Sequence, residues 1–72
     1  MQPIDAALTV LREEQGPLHW TVIQDLALRR GYLDPFTTPD VRKRLLAALT
    51  DAAHAGTLIK NEKGVYRLPE AG

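Results

Sequence analysis

Residues 38–68 read TPDVRKRLLAALTDAAHAGTLIKNEKGVYRL, and the fold turns on how this stretch divides. Up to His54 the apolar residues recur with a helical period. Val41, Leu45, Ala48, Leu49 and Ala52 fall on one face at about 100° per residue, with Leu46 and Ala53 at its margin. A threonine, Thr37 or Thr38, is expected to cap this helix, with Pro39 and Asp40 in its first turn. Gly56 ends it. The period then changes. Residues 57–60, the turn Asn61-Glu62-Lys63-Gly64 and residues 65–68 read as strand, tight turn, strand. Tyr66 and Leu68 share one face of the second strand, Val65 and Arg67 the other. Gly64 supplies the positive φ the turn needs. Pro69 ends the strand, and residues 70–72 read as a frayed tail.

Upstream, two shorter helices are expected. Residues 3–15 carry Ile4, Ala7, Leu8 and Leu11 at i, i+3, i+4, i+7, with Pro3 and Asp5 in the first turn and Gly16-Pro17 as the stop. Leu18-His19-Trp20 is too short for an independent element and reads as a brief strand able to pair with the hairpin. Thr21-Val22-Ile23-Gln24 matches a capping box for a helix over about 22–30, buried through Ile23, Leu26 and Ala27 and closed by Gly31. The loop GYLDPFTT over 31–38 brings Tyr32, Leu33 and Phe36 under the core. Trp20 reads as a buried anchor whose indole N–H finds a carbonyl.

The order helix, short strand, helix, helix, hairpin is that of an α+β winged helix-turn-helix. Three short helices cannot hide their apolar stripes alone, and a hairpin with one apolar face closes the open side. The chain of 72 residues reads as a single domain over 1–72. A domain of this size buries only about 60% of the surface its unfolded chain exposes.

Composition narrows the functional classes. There is no cysteine, so neither a disulfide nor a cysteine zinc site exists. His19 and His54 lie far apart with no metal-ligand spacing, and no metal or cofactor is expected. No GxSxG, no phosphate-binding glycine loop and no paired carboxylates with a pocket occur, so an enzyme is not expected. No apolar run approaches the ~20 residues of a membrane span. With no basic n-region at the start, a cytoplasmic protein is the expectation.

Nine basic and nine acidic side chains cancel. Their positions do not. Residues 1–36 hold three basic and five acidic side chains, net −2, and residues 37–72 hold six and four, net +2. The basic half contains the third helix and the hairpin. The solvent face of that helix carries Lys43, Ala47, Thr50 and His54, flanked by Arg44 and Asp51, with Arg42 nearer the apolar margin. A helix entering a groove about 12 Å wide needs small central residues and cations near its N-terminal end. Arg42, Lys43, Arg44, Ala47, Thr50 and His54, with Lys60, Lys63 and Arg67 of the wing, are therefore the candidate contacts to duplex DNA. Mostly phosphate contacts are expected, because no Asn, Gln or Arg occupies the middle of the face for bidentate base readout. Asp51 would repel phosphate. Dimerisation on paired half-sites would compensate for the few charges of one copy. The alternative is a protein-interaction module, suggested by the neutral charge, the acidic first half and the aromatic 31–38 loop.

These residues also resemble a known family. Ala6-Ala7-Leu8-Thr9-Val10-Leu11, Pro17-Leu18-His19-Trp20, Thr38-Pro39-Asp40-Val41 and Gly64-Val65-Tyr66-Arg67-Leu68 are similar to the pattern of the HARE-HTH winged helices, over about residues 5–68. The most specific part is Pro-Leu-His-Trp. The resemblance implies a module linked to DNA-associated machinery, found in bacterial restriction-related proteins, in the delta subunit of RNA polymerase and in Asx-like chromatin regulators. A transcription or restriction protein is then an implied partner. The 31–38 loop, with Asp34-Pro35-Phe36, departs from the family pattern.

Overall fold

The computed structural model of the chain describes residues 1–69. Helix α1 spans Pro3–Glu14, strand β1 Leu18–His19, helix α2 Trp20–Arg29, helix α3 Val41–Ala55, strand β2 Ile59–Lys60 and strand β3 Val65–Arg67. The fold is α+β, with three helices against a three-stranded antiparallel sheet ordered β1-β3-β2. The expected tail at 70–72 lies outside the described residues.

The helices pack through small residues. Ala6, Ala7, Val10 and Leu11 of α1, Ile23 and Ala27 of α2, and Leu45, Leu49 and Ala52 of α3 are buried in one cluster with Leu33, Leu58 and Tyr66. The α1 stripe is thus centred on Ala6 and Val10 as well as on Ala7 and Leu11, while Ile4 and Leu8 lie at its edge. Alanines at the crossing points let the helix axes approach.

The sheet closes the remaining side. Leu18 pairs with Tyr66 and His19 with Val65, while Ile59 pairs with Arg67 and Lys60 with Tyr66. Tyr66, on the central strand, is 1% exposed and faces the helices. The turn before it is built by Asn61, whose Oδ1 accepts from the backbone N–H of Lys63 at 2.9 Å and of Val65 at 3.0 Å. Gly64 then takes φ 82, a region costly for residues bearing a Cβ.

Helix starts differ from expectation in two places. Helix α2 begins at Trp20, two residues before the expected start, and its cap is His19, not Thr21. The imidazole Nδ1 accepts from the Thr21 N–H at 3.2 Å, with the Thr21 hydroxyl 2.8 Å away. The ring satisfies one of the free backbone donors of the first turn. Gln24 makes no bond to the cap, and its Oε1 is buried with no hydrogen-bond partner among the described residues.

Helix α3 begins at Val41, and no threonine caps it. Asp40 is its N-cap residue, in the left-handed region at φ 56, with no side-chain cap bond. Thr37 and Thr38 instead close a turn on the Asp34 carbonyl. Phe36 does not pack under the core. It is 94% exposed, because the Asp34 carboxylate accepts its backbone N–H at 2.8 Å and turns the chain outward. Leu33 is buried as expected, and Tyr32 packs at the edge.

A polar tie fixes the far ends of α1 and α2. Arg30 donates to Glu13 and to Glu14, each at 2.9 Å, and the Tyr32 hydroxyl donates to the second Glu13 oxygen at 2.6 Å. The Tyr32 bond, reinforced by Arg30, holds the Glu13 carboxyl below its ordinary range, and the same bond raises the Tyr32 phenol. Arg30 is raised, first by its bond to Glu14.

Candidate nucleic-acid interface

All nine candidate contact residues are exposed: Arg42, Lys43, Arg44, Ala47, Thr50 and His54 on α3, and Lys60, Lys63 and Arg67 on the hairpin. The α3 face is dictated by its period: burying Leu45, Leu49 and Ala52 turns Ala47, Thr50 and His54 outward. From Lys43 to His54 this face is about 16 Å long at 1.5 Å per residue. Among the described residues, no carboxylate forms an ion pair with any of these cations; the three ion pairs use Arg29 and Arg30. Asp40 and Asp51 are exposed on the same helix and its cap.

The first turn of α3 and the hairpin turn meet at one indole. The Arg42 guanidinium carbon lies 5.3 Å from the centre of the Trp20 ring. The Trp20 backbone N–H donates to the Gly64 carbonyl at 3.1 Å, and a methyl group on Gly64 would come within 3.2 Å of Trp20 Cδ1. The His19 ring packs beside Trp20, centroids 5.7 Å apart. Trp20 is therefore not the fully buried anchor expected. It is half-buried, and among the described residues its indole N–H bonds to no carbonyl. It acts as a spacer with a cation on its face. Sequence reading missed this role; an aromatic next to a helix cap, with an arginine early in α3, was the available signal.

The hairpin cations do not all point one way. Lys60 pairs with Tyr66 and so shares its face, with Nζ 5.9 Å from the Tyr66 ring centre. Arg67 follows Tyr66 and projects from the opposite face. It lines a groove at the end of α1 with Arg12, a residue the sequence reading did not single out. The arrangement thus joins Arg42 with the turn that carries Lys63, sets Lys60 at the sheet edge, and separates Arg67 from them.

Among the described residues no group of His, Asp and Glu could hold a metal ion, and no helix is long and apolar enough to cross a membrane. Comparison with known proteins finds no matching family model, no matching curated protein and no matching solved structure.

Proposed function

We propose that this chain is a small winged-helix DNA-binding protein of the HARE-HTH type, a cytoplasmic regulator of transcription. Helix α3 enters the major groove and the β2–β3 wing grips the flanking backbone. Arg42, Lys43, Arg44 and Lys63 contact phosphates, Ala47 and Thr50 let the helix approach, and His54 and Lys60 extend the contact at its ends. The observation that carries this reading is the bridge at Trp20. It couples the cationic first turn of α3 to the wing turn, so two sets of cations with no ion pair among the described residues act as one surface. With few phosphates engaged, binding is weak and steeply salt-dependent, and paired half-sites would favour a homodimer.

The test is titration of the labelled protein with duplex DNA at low and moderate salt, followed by amide resonances. Shifts over residues 40–54 and 60–64 that fade as salt rises support the reading. No shift in either segment at low salt rejects it.

A second reading has its own observation. Phe36 stands almost wholly in solvent on a loop between α2 and α3. An exposed ring of this kind suits docking on a transcription or restriction protein without DNA contact. A partner retained after nuclease treatment, and lost with Phe36→Ser, favours this alternative.

A further inference from the structure

The end of α1, the Gly16-Pro17 link and the outer end of β3 enclose a groove of about 540 Å³. Its volume is within the roughly 300–1,000 Å³ of typical ligand sites. Leu11, Pro17 and Leu68 supply an apolar floor, and Arg12 and Arg67 stand at its sides. A smaller hollow of about 230 Å³ adjoins it, lined by Pro17, Ile59 and Val65 and sharing Arg67. The two meet at Pro17 and Arg67 as one track, the larger at the end of α1 and the smaller on the outer face of the sheet, in the order apolar hollow, arginine, apolar hollow. Among the described residues that line it, none is acidic.

Among the described residues neither arginine forms an ion pair, for a local reason. Arg12 is followed directly by Glu13 and Glu14, the nearest acids in sequence. Both are committed to Arg30 on α2, and Glu13 also to Tyr32. Arg67 is turned away from Lys60 and from the α3 side by strand alternation. The fold thus places two guanidinium groups that form no ion pair among the described residues, from opposite ends of the chain, beside an apolar floor. A guanidinium fork matches a carboxylate in two parallel bonds. The apolar hollows on either side of Arg67 match side chains that alternate with that carboxylate. A phosphate backbone has nothing apolar to place in them.

We infer that this track docks an extended acidic peptide segment of a partner protein, in which carboxylates alternate with aliphatic side chains. The site is separate from the Trp20 surface, and it stands whether or not that surface binds DNA.

The test titrates the whole chain with a short synthetic peptide of alternating aspartate and leucine, and with the same peptide carrying asparagine in place of aspartate. The expected result is amide shifts at Leu11, Arg12, Gln15, Gly16, Arg67 and Leu68 with the acidic peptide, weakened by salt. Binding falls about tenfold or more in the double variant Arg12→Gln/Arg67→Gln, and a comparable loss follows from the asparagine peptide. Both arginines are exposed, so the variant keeps its fold; the salt series and the two peptides test the same point on the unaltered chain. Equal affinity for both peptides, or no shift at these residues, overturns the inference. So does a shift of these residues by duplex DNA alone, which would assign the arginines to phosphate. A change in the same resonances on concentrating the free protein would assign the groove to a second copy and equally overturn it.

Discussion

Arg42 and Trp20 are stacked, with the guanidinium carbon 5.3 Å from the ring centre. The contact orients a cation at the start of α3 by means of a residue at the start of α2. It also explains why Trp20 is only half-buried: its inner edge meets Gly64, and its face supports Arg42.

Replacing Trp20 with leucine leaves the net charge unchanged and removes the platform. A cation–π contact at an exposed site is worth about 0.5–1 kcal/mol. DNA affinity should therefore drop about two- to fivefold at low salt, measured by fluorescence anisotropy of a labelled duplex. Unchanged affinity in a folded variant would mean that Arg42 needs no such support or makes no contact.

Gly64→Ala places a methyl group 3.2 Å from Trp20 Cδ1 and 3.3 Å from His19 Nε2, at a backbone φ of 82. Both strain and crowding act against it. A loss of more than about 1 kcal/mol is expected, and each kcal/mol lowers Tm by about 4–8 °C in a domain this small. Thermal melts read by circular dichroism would show it. An unshifted Tm would contradict the close approach of the turn to Trp20.

Asp40→Asn should strengthen DNA binding at low salt without loss of stability. Asparagine tolerates the left-handed conformation that Asp40 adopts, and one anion is removed beside Arg42, Lys43 and Arg44. Salt titrations of the variant and the parent separate the charge effect from any change in fold. Equal affinity across the series would place Asp40 outside the field of the bound DNA.

The acid limb of stability should depend on Glu13. Its folded pKa is lowered, chiefly by the Tyr32 hydroxyl and then by Arg30. The stabilisation is thus present above the ordinary carboxylate range and is lost as pH falls through the lowered value. At the other extreme Tyr32 is raised by the same bond, and its share is lost as pH rises through the raised phenol value. Glu13→Gln should flatten the acid limb and return the Tyr32 titration toward its ordinary position. Melts across pH and ultraviolet titration of the phenol measure the two effects; an unaltered acid limb would show that the tie contributes nothing.

Leu49→Ala, in the buried cluster, opens a cavity in the core. A cost of about 2–5 kcal/mol is expected, a large part of the total for a domain of this length. Urea unfolding would measure it.

The helices and the hairpin were legible because their signals are periodic. Leu45, Leu49 and Ala52 mark α3 by spacing alone, and the alternation of Tyr66 with Val65 and Arg67 marks β3. The exposure of Lys43, Ala47, Thr50 and His54 follows from the same period. Helix starts were less legible, because any short polar side chain can serve as a cap. Thr21 and Thr38 have the usual chemistry, yet His19 takes one position, and Asp40 takes the other through backbone conformation. Phe36 was misplaced since hydrophobicity argued inward while the Asp34 turn directs it outward. Arg12 and Arg67 were not linked because their meeting is a tertiary event between residues at opposite ends of the chain.

The pairing of Leu18 with Tyr66 sets when this molecule can fold at all. During synthesis α1, α2 and α3 emerge first, each with an apolar stripe the others cover only in part. The last wall of the core arrives with β3, the central strand of the sheet. Folding therefore waits for β3 instead of proceeding segment by segment, and an arrest before Tyr66 leaves a sticky three-helix intermediate for chaperones or proteases to remove.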